Sequence, residues 1–133
     1  MSKTVNASGK RKRAVARATV SAGTGMIRLN KRPLATYEPE VYRLKILEPI
    51  ILAGELAKKI DIRITAAGGG AQGQAEAARL AIARGLVAFT GSKALKKEFL
   101  NYDRQLMIAD VRRNEPHKPN DSKPRAKRQT SYR

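Results

Sequence analysis

The sequence predicts an α+β fold: a two-layer domain with helices on one face of its sheet, followed by an extended basic C-terminal tail. Three observations carry this. Lys59 to Thr65 reads KIDIRIT, which puts Ile60, Ile62 and Ile64 on one side of an extended chain and Asp61, Arg63 and Thr65 on the other. From about Gln72 to Phe89, the residues Ala75, Ala78, Ile82, Leu86 and Phe89 fall within about 80° of arc at 3.6 residues per turn, as on an amphipathic helix. The order of elements is strands, helices, strand, helix, helix, strand, which suits one sheet with helices packed on one side.

Taken in order, SKTVNASGKRKR is a turn-rich N-terminal arm ending in four consecutive basic residues, Lys10, Arg11, Lys12 and Arg13. Ala14 to Ser21, AVARATVS, alternates partly and is rich in small and β-branched residues, so it reads as a strand. Gly23 and Gly25 form a turn before Met26, Ile27 and Leu29, and the AGTG connection is expected to make these two strands a hairpin. Asn30-Lys31-Arg32-Pro33 is a further turn. Glu38 to Gly54 is apolar at helical spacing through Val41, Leu44, Leu47 and Ile51. Pro49 is expected to break it into a helix ending near Leu47 and a second, short one starting near Pro49. Gly91 stops the long helix, Ser92 is an N-cap for a last helix from Lys93 to about Leu100, and Leu106 to Asp110 is a final strand. The core is thin, with two Phe and no Trp. The division is thus a basic arm at 1–13, a globular domain at 14–110 and a tail at 111–133.

The charge is uneven. The chain of 133 residues carries a formal net charge of +17, from 28 Lys and Arg against 11 Asp and Glu. Residues 1–17 hold six basic residues and no acid, and residues 111–133 hold eight basic and two acidic ones. The tail from Arg112 to Arg133 has no Leu, Ile, Val, Met or Phe and contains Pro116, Pro119 and Pro124, so it cannot fold on its own. Extended, it reaches roughly 70 Å at about 3.3 Å per residue. A solubilising tail and an arm for a polyanion both fit such a segment. Among polyanions nucleic acid is favoured, because neutralising phosphates releases counterions. A membrane is disfavoured: no stretch approaches 18 apolar residues, and neither arm forms an amphipathic helix with a bulky apolar face. The absence of cysteine excludes disulfides and thiolate metal sites, and no apolar signal segment opens the chain, so a cytoplasmic protein is expected. The Lys/Arg-rich ends also resemble nuclear signals.

The motifs exclude several chemistries. Gly68-Gly69-Gly70-Ala71-Gln72-Gly73-Gln74 joins a strand to a helix and could cradle a phosphate on free N–H groups. Equally, it could be a tight turn that needs glycine for backbone reasons. It lacks the Gly-Lys-Ser/Thr ending of a nucleotide-binding P-loop, which disfavours a small phosphotransferase. His117 is the sole histidine and lies in the tail, where the sequence assembles no Ser/His/Asp or Cys/His set around it, and no acidic cluster has metal-ligand spacing. No enzyme activity, cofactor or metal is therefore expected. Of the aromatics, Tyr37, Tyr42, Tyr102 and Tyr132 could stack on bases, but the aromatic strand signature of RNA-recognition motifs is absent.

Gly68-Gly69-Gly70-x-x-Gly73-Gln74-x-x-Ala77-x-x-x-Ala81-x-Ala83-Arg84-Gly85-Leu86 resembles the signature of the ninth small-subunit ribosomal protein family. The run Gly9-Lys10-Arg11-Lys12-Arg13-Ala14-Val15-Ala16-Arg17-Ala18 resembles that family's first strand, and Arg125-Ala126-Lys127-Arg128-Gln129-x-Ser131-x-Arg133 resembles its C-terminus. The Ser-Tyr-Arg ending, with Thr130 and Tyr132 where bacterial members have Phe or Tyr and Lys, resembles the archaeal and eukaryotic branch, with a lean to archaea.

The resemblance implies a domain like the second domain of the fifth small-subunit protein, seated in the head of the small ribosomal subunit. It implies rRNA contacts by Lys10, Arg11, Lys12, Arg13, Arg17, Gly68, Gly69, Gly70, Gln74, Arg112, Arg113, Lys118, Lys123, Arg125 and Lys127. It also implies that the tail reaches the anticodon stem-loop of P-site tRNA through Arg128, Ser131, Tyr132 and Arg133. The expected partners are small-subunit rRNA, P-site tRNA and neighbouring small-subunit proteins, with no membrane and no homo-oligomer. A freestanding basic RNA-binding protein, such as an RNA chaperone or a ribonuclease P-like subunit, is the alternative.

Overall fold

A computed structural model describes residues 3–117, 119 and 123–125. The α+β expectation holds: a mixed five-stranded sheet carries its helices on one face. The strands are β1 (Thr4–Arg11), β2 (Ala14–Ala22), β3 (Ile27–Leu29), β4 (Arg32–Pro33) and β5 (Ile60–Ala67), in spatial order β1-β2-β5-β3-β4. The helices are α1 (Glu40–Ala53), α2 (Ala71–Thr90) and α3 (Lys93–Tyr102).

β5 runs at the centre, antiparallel to β2 and parallel to β3. Its alternation is as the sequence predicts: Ile60, Ile62 and Ile64 are buried while Arg63 and Thr65 are exposed. β2 faces inward through Ala14, Ala16, Ala18 and Val20. α2 lies across β1 and β2 and is buried through Ala75, Ala78, Ile82 and Leu86. It ends at Gly91, whose φ of +64° supplies the left-handed C-cap. Ser92 then caps α3, its Oγ accepting from the Leu95 N–H at 3.2 Å.

The layers touch at backbone distance. A Cβ added to Gly9 of β1 would lie 2.3 Å from the Ala77 carbonyl oxygen and 2.8 Å from the Ala81 nitrogen. One added to Gly85 of α2 would lie 2.7 Å from a Val20 methyl. A thin core of alanines therefore closes without large aromatics, and Phe99 is its one fully buried aromatic residue among those described.

Five expectations need correction. The N-terminal arm is not free over its length: Thr4–Arg11 forms edge strand β1, because Val5, Ala7 and Gly9 offer a small inward face that α2 covers. The AGTG segment does not join two paired strands. β5 inserts between β2 and β3, and Asp61 holds the connection by accepting the N–H groups of Thr24, Gly25 and Met26 at 2.9, 3.1 and 3.0 Å. Pro49 does not break the helix, for its ring is fully buried and α1 continues past it to Ala53.

The buried side of α1 is also different. It runs through Ile46, Pro49 and Ala53, leaving Val41, Leu44 and Ile51 exposed, because the proline ring itself supplies the core contact. Finally, Leu106–Asp110 is not a strand. Asp103 accepts the Gln105 N–H at 2.9 Å and caps a short 3-10 turn, Arg104–Leu106, which plugs Leu106 into the core.

Gly9→Ala should destabilise the free protein by roughly 3 kcal/mol, the upper end of the overpacking range, since its neighbours are backbone atoms that cannot rotate away; urea unfolding measures it. Asp61 should shape the acid limb of stability. The Met26 and Thr24 N–H groups hold its carboxyl below the ordinary carboxylate value, against a small opposing effect of burial. Its contribution is complete above the unfolded pKa of about 3.9 and is lost as pH falls through the lower folded value. Melting followed from pH 6 to about pH 2 should therefore fall less steeply in Asp61→Asn than in the parent.

Candidate nucleic-acid interface

Three basic or N–H-rich features converge at one end of the sheet. β1 and β2 are joined by the two-residue turn Lys12–Arg13, in which Lys12 takes a φ of +55°. β5 ends beside it, Ala67 pairing with Val15, and the chain enters Gly68 and Gly69 at φ +79° and +61°. A Cβ at Gly68 would lie 2.5 Å from the Arg13 carbonyl oxygen. Glycine is thus needed for both conformation and proximity. The loop and the basic turn enclose a cavity of about 440 Å³ lined by Lys12, Arg13, Gly69, Gly70, Gln72 and Asn114, among others. α2 begins there at Gly70 with no side-chain cap, so the positive end of its dipole faces this cavity. The Gln74 side chain instead donates to the Gly68 carbonyl at 3.1 Å, bracing the loop from within.

The start of the tail is strapped to the same end. The Arg113 Nη1 donates to the Lys12 carbonyl at 3.1 Å. Asp110 pairs with Arg11, and Arg112 chelates it through Nε and Nη2 at 2.9 and 2.5 Å. Arg84 of α2 donates from Nη1 to the Ser8 carbonyl at 3.1 Å and from Nε to the Met107 carbonyl at 3.3 Å, joining β1 to the segment that leads into the tail. Further out, Arg125 pairs with Glu115, which raises the guanidinium's pKa.

The basic run Lys10–Arg13 is therefore divided by strand alternation. Lys12 and Arg13 occupy the turn. Arg11 points inward, where its Nε lies 2.7 Å from Glu76 in addition to the Asp110 contact. Lys10 and Arg17 fall in the outward register of β1 and β2, and both are exposed. Gly68, Gly69 and Gly70 are exposed, the last two lining the cavity, and Arg112, Arg113, Lys123 and Arg125 are exposed along the tail. Lys118, Lys127, Arg128, Ser131, Tyr132 and Arg133 lie outside the described residues.

Asp110 is missed by sequence reasoning, and Arg84, a position of the quoted signature, is given no role by it, since contacts to residues far along the chain leave no spacing signal. Arg28 is missed too, and Arg63 is read only as one of the residues opposite the isoleucines of its strand. Their alternation with Ile27, Leu29, Ile62 and Ile64 carries the signal that would place both outward on the sheet.

A second cluster is internal. Arg79 of α2, 8% exposed, lies 2.6 Å from Glu48 and 2.9 Å from Asp103, and its Nε has no hydrogen-bond partner among the described residues. Lys45 pairs with Glu76 at 3.1 Å in the same region, around a cavity of about 260 Å³. Burial opposes ionisation of Asp103, but the Gln105 N–H and the Arg79 guanidinium outweigh it and hold its carboxyl below the ordinary value. Each of these carboxylates is committed to a cation. No group of His, Cys, Asp and Glu among the described residues could hold a metal ion.

Fold and site together define a small basic α+β protein that gathers exposed cations and the uncapped N-terminus of α2 at one end of its sheet. The chain matches the family model for ribosomal protein S9/S16 over residues 9–133, and it belongs to that family. It is 51% identical to the small ribosomal subunit protein uS9 of Methanococcus maripaludis strain C7, across 98% of this chain and 99% of the relative. It is 50% identical to the uS9 protein of Methanococcus vannielii over the same shares.

Arg84→Met should release the base of the tail while the core stays folded. Trypsin cleavage after Arg112 and Arg113 in the free protein should accelerate several-fold, as expected when local opening is eased, and mass spectrometry of the fragments measures this. Arg79→Met should cost about 1–3 kcal/mol in thermal unfolding, because Glu48 and Asp103 would be left without their shared cation.

Proposed function

We propose that the chain is a structural constituent of the small ribosomal subunit that binds its rRNA and extends its C-terminal tail to the anticodon stem-loop of P-site tRNA during translation. The observation that carries the rRNA reading is the meeting of the Lys12–Arg13 turn, the glycine loop, the uncapped N-terminus of α2 and the strapped tail base at one end of the sheet. Such a surface contacts phosphate rather than base edges, so it positions RNA without reading sequence. Family membership supports the same partner and a non-enzymatic role. The domain at 14–110, together with β1, acts as the dock. The segment 111–133 acts as a neutralising spacer, with rRNA contacts by Arg112, Arg113, Lys118, Lys123, Arg125 and Lys127. Arg128, Ser131, Tyr132 and Arg133 form its tRNA-contacting end. The assembly is the cytoplasmic ribosome, with neighbouring small-subunit proteins as further partners.

The protein should sediment stoichiometrically with small subunits and stay bound in high salt. Sub-stoichiometric, salt-labile association would favour a freestanding RNA-binding module instead. Removal of Arg133 should leave assembly intact and weaken P-site tRNA binding to reconstituted subunits. The salt dependence should lose one phosphate contact, a slope change of roughly 0.7–0.9. Unchanged tRNA affinity and initiation fidelity would sink the tRNA role alone.

A further inference from the structure

The helices cover one face of the sheet, and the other face is open. We infer that this open face is a second RNA-binding surface, which takes a phosphate backbone along a row formed by Arg17, Arg63 and Arg28. The inference rests on the reading of the chain as an rRNA-binding protein and names a further surface for that partner.

The row follows from the register. Arg28 of β3 stands directly opposite Arg63 of β5, between the inward pairs Ile27–Ile62 and Leu29–Ile64. Arg63 also pairs across β2 with Thr19, and Arg17 pairs with Thr65. At a strand separation of about 4.8 Å and a diagonal of about 7–8 Å, the three guanidinium stems span about 12 Å of one face. All three residues are exposed. Among the described residues, none of their side chains makes a hydrogen bond or ion pair.

Like charges directly opposite on adjacent strands destabilise a sheet. The free protein therefore carries an unfavourable pair at its centre that an anion would relieve. The acid in this register, Asp61, does not relieve it fully, because its Oδ1 is committed to the N–H groups of Thr24, Gly25 and Met26.

The rest of the face selects the occupant. Its remaining outward residues on β1, β2 and β5 are mostly short and polar: Asn6, Ser8, Thr19 and Thr65. A depression of about 440 Å³ there is lined by Asn6, Ala7, Ser8, Arg17, Ala18 and Thr19. No bulky apolar side chain stands among those four outward residues for a protein partner to bury, whereas a phosphodiester meets the Ser8 and Thr65 hydroxyls between guanidinium forks; the Thr19 hydroxyl already donates to Asn6 Oδ1 at 3.1 Å. Arginine suits this role, since its planar fork can give two parallel N–H bonds to one phosphate.

The test is the double variant Arg28→Gln/Arg63→Gln in the full chain, bound to small-subunit rRNA over a salt series. Loss of two phosphate contacts should lower the salt-dependence slope by roughly 1.4–1.8. At the same time the melting temperature of the free variant should hold or rise, because the opposed charges are gone. A purely structural role would instead lower that melting temperature. An unchanged slope overturns the inference, and so does a weakened fold that accounts for the lost binding. A photo-crosslinker in place of Thr65 in assembled subunits gives an independent readout. Crosslinks to rRNA support the inference, while crosslinks only to protein, or none, overturn it. If the parent chain fails to bind rRNA, the functional reading and this inference fall together; if the parent binds and the double variant matches it, only the inference falls.

Discussion

The close approach of α2 to β1 and β2 is the constraint on which the rest of the structure depends. A helix normally stands off a sheet by the length of its side chains. Here Gly9 and Gly85, with Ala14, Ala16 and Ala18 facing Ala75, Ala77, Ala78 and Ala81, let backbone approach backbone. Small residues lose little or no side-chain entropy on burial, so a core of methyl groups can hold a small domain together. The same approach sets the geometry of the functional end. With α2 pressed onto β1, its N-terminus and glycine loop abut the Lys12–Arg13 turn, and a side chain at Gly9 would push them apart.

Charge is divided by the same frame. A chain at +17 would be expected to turn all its cations outward, yet several point inward. Arg11, Arg79, Arg84 and Lys45 hold elements together through Glu76, Asp110, Glu48, Asp103 and backbone carbonyls. Ion pairs at half-exposed sites contribute modestly to stability. Their larger effect is to fix where α1, α3 and the tail base sit relative to α2. The exposed cations stand at the turn, along the tail and on the open sheet; among the described residues those of the sheet, Arg17, Arg28 and Arg63, make no ion pair, while Arg112, Arg113 and Arg125 of the tail are tied to Asp110, the Lys12 carbonyl and Glu115.

Legibility in the sequence followed range. The Ile60–Ile62–Ile64 alternation, the α2 stripe, the Gly91 stop and the Ser92 cap are local signals, and each appears in the structure where the local pattern puts it. The strand order was not legible. The AGTG segment has hairpin chemistry, but β5 outcompetes β3 for the edge of β2 by offering eight residues of pairing instead of three. Pro49 misleads because its helix-breaking cost is local while its burial is tertiary. At the candidate site, the glycine loop and the basic turn were readable as motifs. Their juxtaposition was not, because it depends on the register of β2 against β5. The roles of Arg84 and Asp110 could not be read, since Arg84 reaches Ser8 across 76 residues and Asp110 meets Arg11 across 99.

Those separations have a consequence for how the chain is made. Of the five described strands, the one made first has contacts that are completed late. β1 can pair with β2 at once, but its inner face waits for α2. Arg11 then waits for Asp110, and the Lys12 carbonyl waits for Arg113, 101 residues later. Long closures of this kind slow folding more than they weaken the final state. A nascent domain lacking its last segment would thus expose an unfinished basic edge, and the strap that finishes it is the very stretch that leads into the tail.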